Sequence, residues 1–305
     1  MNSLSIKFKL ILLAVLAGVG MLAMVAIQIS ATHSLESLEG ARLLVSNIES
    51  DMLMLRRNEK DFLARTDMKY KGKFTDNAQA MRDNIQKLKV ALEDNGIDTS
   101  LTNELQNVAA DYEQKFLAVV DLQSRIGLHP KDGLYGSLRN AVHQAEELVN
   151  ARKDDRLTKD ILMLRRREKD FMLRMDLKYL EKFDKDLAAF HADLKRSNHP
   201  NDIKQEINAA MLQYQQDFHA LVDAAQEKGL NSKLGVLGSM RSTIHKSEEM
   251  LAQLGEETGQ HVTNAISEQR SWSMMLAGLI TLIIVAMATV IPSGLFDPLS
   301  ILHRL

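Results

Sequence analysis

Hydrophobic positions divide the chain into three parts. Leu10 to Ile27 is an apolar run without a charged residue, and Trp272 to Ile291 is a second. A helix needs roughly 20 apolar residues to cross the hydrocarbon core of a bilayer. Lys7 and Lys9 precede the first run and place the N-terminus in the cytoplasm, while Trp272 opens the second at an interface position. The pattern therefore predicts a cytoplasmic segment at 1–9, membrane helices at 10–29 and 272–291, and a return to the cytoplasm at 292–305. The intervening stretch of about 240 residues is too long for a connection and must fold.

Within 30–271 the apolar positions recur at helical spacing, interrupted by turn clusters at Asn95-Gly96, Gly127…Pro130…Gly133, Asn198-His199-Pro200 and Gly229…Gly235. These breaks predict helices at 30–94, 99–126, 134–152, 153–197, 201–228 and 235–271. The first would rise roughly 100 Å at 1.5 Å per residue. Short connections make neighbours antiparallel. The expected fold is all-α: two stacked four-helix bundles sharing two long helices, flanked by two transmembrane helices.

An internal repeat organises this region. Met54-Leu55-Arg56-Arg57-Asn58-Glu59-Lys60-Asp61-Phe62 returns as Met163-Leu164-Arg165-Arg166-Arg167-Glu168-Lys169-Asp170-Phe171, an offset of 109. Tyr112, Phe116 and Gly136-Ser137-Leu138-Arg139 return as Tyr214, Phe218 and Gly238-Ser239-Met240-Arg241, an offset of 102 that also relates His143 to His245. The difference of seven is two helical turns, so the first copy has a longer helix or loop between Phe74 and Tyr112. The expected path puts 54–65 against 238–249 in an inner bundle, and 163–174 against 136–147 in an outer one.

Composition narrows the chemistry. A net charge of −2 argues against a nucleic-acid-binding surface, and the absence of cysteine excludes disulfides and thiolate metal sites. No phosphate loop, nucleophile elbow or paired catalytic carboxylate stands out, and His143 and His245 lack the further ligands of a metal site. No enzyme, cofactor or metal is expected. Tyr112, Phe116, Tyr214 and Phe218 read as core.

The informative charges lie beside the core stripe. Glu59 and Glu168 fall within it, and Arg56, Arg65, Arg165 and Arg174 flank it. Arg139 and Arg241 lie close beside the stripe of their own helices, with His143 and His245 at its edge, whereas Arg57 and Lys60 point largely away. Two readings stay open. The arginines line a pocket for a small anion, which suits a planar guanidinium. Alternatively they pair internally, Glu59 with Arg241 and Glu248 with Arg56.

The duplicated Arg-Arg-x-Glu-Lys-Asp-Phe motif, with each Gly-Ser-x-Arg-x-x-x-His segment and two flanking membrane helices, resembles the helical bimodular (HBM) sensor domain of bacterial chemotaxis receptors and sensor kinases. Pro292 and the run Phe296-Asp297-Pro298-Leu299-Ser300-Ile301-Leu302 resemble the opening of a HAMP linker. The resemblance implies a periplasmic sensor on a bacterial inner membrane that binds small organic acids in its inner module. It also implies a second small carboxylate in the outer module of some members. By analogy Arg56 and Arg57, opposite Arg241, with Arg65 and His245 nearby, form the inner site. Arg165, Arg166 and Arg139, with Arg174 and His143, form the outer one. A homodimer is implied, as is output to cytoplasmic signalling machinery through regions this chain lacks. The alternative is a sensor-kinase ectodomain that reads a periplasmic binding protein.

Overall fold

In the computed structural model, which describes residues 6–290, the chain is all-α, with eight helices and no strand among the described residues. They are α1 (Ile6–Arg65), α2 (Lys69–Asp94), α3 (Ser100–Ile126), α4 (Gly133–Asn150), α5 (Asp155–Arg174), α6 (Lys178–Arg196), α7 (Asn201–Lys228) and α8 (Gly235–Val290). The HAMP-like stretch at 292–305 and residues 1–5 lie outside the described residues. α1 and α8 each contain an apolar segment long and hydrophobic enough to cross a membrane, and neither segment is buried by the rest of the chain. Val19, Leu22, Leu279 and Leu282 are all more than half exposed there. Apolar surface of this kind is unfavourable in water and at home in hydrocarbon.

The stretches read as single helices over 30–94 and 153–197 are each two helices joined by a tight turn. Thr66 and Met175, which occupy the same position of the two repeats, adopt the left-handed conformation with φ of 51° and 49°. One residue later an aspartate restarts the chain. The Lys69 amide donates to Asp67 Oδ1 at 2.9 Å, and the Lys178 amide donates to Asp176 Oδ1 at 3.0 Å. A carboxylate that satisfies a free amide at a helix start favours a new helix over continuation of the old one. The chain then doubles back, so Arg167 Nε donates to Asp186 Oδ2 across α5 and α6 at 2.8 Å. Phe62 and Phe74 likewise both reach Phe116, at centroid distances of 5.7 and 3.8 Å. The predicted 100 Å rod is therefore a hairpin. The seven-residue difference between repeats resides in helix length, since α2 has 26 residues and α6 has 19.

Two compact units result. The first comprises residues 1–47, 84–102 and 252–305. Within its described part α1 and α8 run antiparallel, Gly20 facing Ile280 and Gly255 facing Val45. Leu38, Ala41, Ile85, Leu88, Leu92 and Leu254 form its core. Asn95 ties α2 to α1 by accepting from Ser34 Oγ and donating to Ser37 Oγ, both at 2.8 Å.

The second unit comprises 48–83 and 103–251 and carries both copies of the motif. In it α4, α5, α6 and α7 form one four-helix bundle, α4 packing chiefly on α7 and α5 on α6. The segments of α1, α2, α3 and α8 that belong to this unit make the corresponding set around Phe62, Phe74, Tyr112 and Phe116. Each repeat thus keeps three helices together and gives its fourth to the other set. Two glycines permit this exchange. Gly127 and Gly229 have φ of 126° and 121°, and a Cβ at either would lie 2.5 Å or less from a backbone carbonyl of the turn that leads into α4 or α8.

Candidate functional site

Each motif helix meets the Gly-Ser helix predicted for it. Arg56 is ion-paired with Glu248, and Arg165 Nη1 donates to Glu146 Oε1 at 2.7 Å. Beside each pair lies a cavity. The inner one, about 510 Å³, is lined by Arg56, Glu59, Lys60 and Leu63 of α1, by Leu230 and Ser232, and by Leu237, Arg241 and Ile244 of α8. The outer one, about 290 Å³, is lined by Arg165, Glu168, Lys169 and Met172 of α5, by Leu128, His129 and Pro130, and by Tyr135, Arg139 and Val142 of α4. Every residue lining the outer cavity has its repeat equivalent in the wall of the inner one. The inner wall adds Met175, Ala225, Lys228, Gly229 and His245.

The size difference has a cause at one position. Tyr135 of the outer cavity corresponds to Leu237 of the inner. Its ring crowds Gly127, where an added Cβ would stand 3.0 Å from Tyr135 Cδ2. Burial raises the phenol pKa above its ordinary value. The smaller leucine leaves the inner cavity open toward the end of α7.

Charge is arranged on a shared frame. Tyr112 Oη donates to Glu59 Oε2 at 2.6 Å, and Tyr214 Oη donates to Glu168 Oε2 at 2.7 Å. These buried phenols titrate far above their ordinary range, because burial and the adjacent carboxylate both disfavour a phenolate. The carboxyl of Glu59 is also pushed up. Burial outweighs the Tyr112 hydrogen bond and the nearby charges of Arg56 and Lys60. Among the described residues Glu59 has Tyr112 as its hydrogen-bond partner and no ion pair with Arg241, although the pairing of Glu248 with Arg56 holds. Arg241 makes, among the described residues, a single long contact, 3.5 Å from Nη1 to Ser232 Oγ, and it lines the cavity as an exposed side chain. Arg139 lines the outer cavity and no ion pair with a carboxylate holds it among the described residues.

The other candidates separate into two groups. His245 lines the inner cavity beside Glu248, whereas His143 contacts Glu146 at 3.1 Å and lies outside the outer cavity wall. Arg57, Arg65, Arg166 and Arg174 line neither of these two cavities and pair with Asp61 or Asp170 one turn along their own helices, at 3.5 to 4.0 Å, although Arg57 and Arg65 join Arg56 and Lys60 along a separate open groove of about 860 Å³. Lys60, read as pointing away, reaches the inner wall. Lys228 and Tyr135 were not singled out, because each departs from the repeat. Among the described residues no group of three or more His, Asp or Glu side chains is placed to hold a metal ion. No protein-family model and no curated protein matches this chain.

Proposed function

We propose that this chain is the ligand-binding portion of a two-pass membrane receptor that detects small organic acids outside the cytoplasm, with the sensor domain in the periplasm and both apolar segments in the inner membrane. One observation carries the reading: two repeat-related cavities face arginines, Arg241 and Arg139, that no carboxylate neutralises among the described residues. A guanidinium without a carboxylate partner at a cavity wall is a ready partner for a ligand carboxylate. A volume of 510 Å³ lies within the range of small-molecule sites.

The inner cavity also suits signalling. Two of its walls belong to α1 and α8, and both helices continue without a break into the apolar segments. An acid that bridges them and binds one arrangement of α1 and α8 better than another shifts that equilibrium by its differential affinity. The outer cavity is lined by α4 and α5, which carry no such segment. It is the accessory site. Output to cytoplasmic machinery and a homodimeric state complete this reading.

The test uses the full chain in lipid nanodiscs and a thermal-shift panel of small carboxylates, amines and purines. An acid at 100 Kd should add about 2.7 kcal/mol of stability. Arg241→Ala should weaken that acid about 10- to 100-fold, the loss expected for a charge-assisted contact, and Arg139→Ala should leave the inner site intact. No shift with any acid would transfer weight to a sensor-kinase ectodomain that reads a binding protein.

A further inference from the structure

A buried polar group without a partner marks a place where the two copies of the repeat diverge. Asn58 of α1 is 5% exposed, and its amide Nδ2 has no hydrogen-bond partner among the described residues. A buried donor left unsatisfied is costly and rare in folded proteins. Asn58 lies in the wall of the open groove of about 860 Å³ between α1 and α2, and Asn77 of α2 lies in the same wall. The second copy has Arg167 and Asp186 at these two positions, and they form the 2.8 Å bridge that ties α5 to α6. With asparagine at both positions, the first copy has no ion pair there. The rest of the wall is largely shared, since Leu53, Arg57, Tyr70 and Lys73 return as Leu162, Arg166, Tyr179 and Lys182. The first copy has thus given up the charged tie between its hairpin helices and kept the cations around it.

Those cations are in surplus. Arg56 is held by Glu248, which leaves Arg57, Lys60, Arg65 and Lys73 against Asp61 and Asp76, four positive charges to two negative. Arg57 and Arg65 share the single carboxylate of Asp61, at 4.0 and 3.5 Å. We infer that the groove between α1 and α2 binds a phosphate group, free or carried by a small organic molecule, with Asn58 as a neutral donor and Arg57 and Lys73 as cations from the two walls. A phosphate carries about −1.5 to −2 charges at neutral pH and three strong acceptor oxygens, which matches the surplus of two and accepts from several directions at once. A carboxylate brings one charge and two oxygens. The volume is of the size that holds a small organic molecule, and Tyr70 and the exposed Leu53 supply apolar surface for an organic portion. The groove lies on the α2 side of α1 and the acid-binding cavity on its α8 side, so occupancy of the groove does not depend on an acid in the cavity.

Calorimetric titration of the full chain in maltoside micelles and Tris buffer at pH 8, neither of which supplies phosphate, tests this with glycerol 3-phosphate, inorganic phosphate and glycerol. The wild-type chain should bind at least one of the two phosphates and not glycerol, and the tighter of the two identifies the source of the group. Asn58→Arg combined with Asn77→Asp installs the bridge of the second copy without changing net charge. It should weaken the phosphate about tenfold or more, the loss expected for charge-assisted contacts, while the chain melts no lower than the wild type. Lys73→Gln, at an exposed position, should weaken it about tenfold and leave the buried wall untouched. Should the double variant melt lower, Lys73→Gln decides alone. Unchanged affinity in Lys73→Gln, or in a double variant that melts like the wild type, would overturn the site. Failure of the wild-type chain to bind either phosphate would also overturn it and would leave the acid-binding cavity, tested through Arg241, as it stands.

Discussion

The two cavities are built from the same positions of a duplicated sequence, yet they settle their charges differently. In the outer cavity Glu168 is only 3% exposed and accepts from both Tyr214 and Lys169, the latter at 2.6 Å. Arg165 is held by Glu146, and Tyr135 narrows the cavity on the side of Gly127. In the inner cavity Glu59 accepts from Tyr112 while Lys60 lies in the cavity wall, and Lys228 adds a cation that meets the Gln123 amide and, among the described residues, no carboxylate. The shared motif therefore encodes a structural element, a buried tyrosine–glutamate hydrogen bond beside an arginine–glutamate pair. The difference that makes a site lies elsewhere, in the positions where one copy gains a cation or loses bulk.

The largest expected effect concerns what the copies hold in common. Phe116 and Phe218 sit in equivalent aromatic clusters, each edge-on to the motif phenylalanine at 5.7 and 5.8 Å. Phe116→Ala and Phe218→Ala should each cost about 3–5 kcal/mol in denaturant unfolding of the chain in micelles. The two losses should agree within about 1 kcal/mol. A clear inequality would show that the cores, and not only the charges, have diverged.

A smaller effect concerns the two glutamates. Glu168→Gln should destabilise by about 1 kcal/mol, because the Lys169 ammonium loses its carboxylate. Glu59→Gln should behave in the opposite sense at neutral pH. A carboxyl whose folded pKa lies above its unfolded value makes stability fall as pH rises between those two values, and leaves it level above them. Glu59 is such a group, with its ordinary value at 4.5 and its folded value raised by burial. The glutamine variant should therefore melt above the wild type at pH 7, and the advantage should vanish below about pH 4.5. A melting advantage that persists at pH 4 would point to packing and not to burial of charge.

Much of this was legible in the chain. The pairing of 54–65 with 238–249 and of 163–174 with 136–147 appears as Arg56 on Glu248 and Arg165 on Glu146. The core tyrosines and phenylalanines also lie where the repeat put them. The hairpin turns were not legible, because they contain neither glycine nor proline. Their signal is an aspartate two residues before a lysine, Asp67 and Asp176, and such a pair is equally common on a solvated helix face. Lys228 and Tyr135 escaped for another reason. Repetition draws the eye to what two copies share, and these residues matter where the copies differ.

The smallest expected effect tests whether a shared turn has also been put to different uses. Thr66 and Met175 both hold a left-handed backbone, which costs a residue other than glycine or asparagine on the order of 1 kcal/mol. Asparagine tolerates that conformation. Met175→Asn should thus stabilise by about 0.5 kcal/mol, a rise in melting temperature of about 1–2 °C for a domain of this size. Thr66→Asn should gain nothing, because it removes a hydroxyl that donates to the Leu128 carbonyl at 3.0 Å. Met175 also lines the inner cavity and Thr66 lines neither, so only Met175→Asn should alter the affinity for an acid. A change in affinity from Thr66→Asn instead would mean that the Thr66 bond to the turn bordering the outer cavity connects the two sites. The divergence between the copies would then extend from their charges to their backbone.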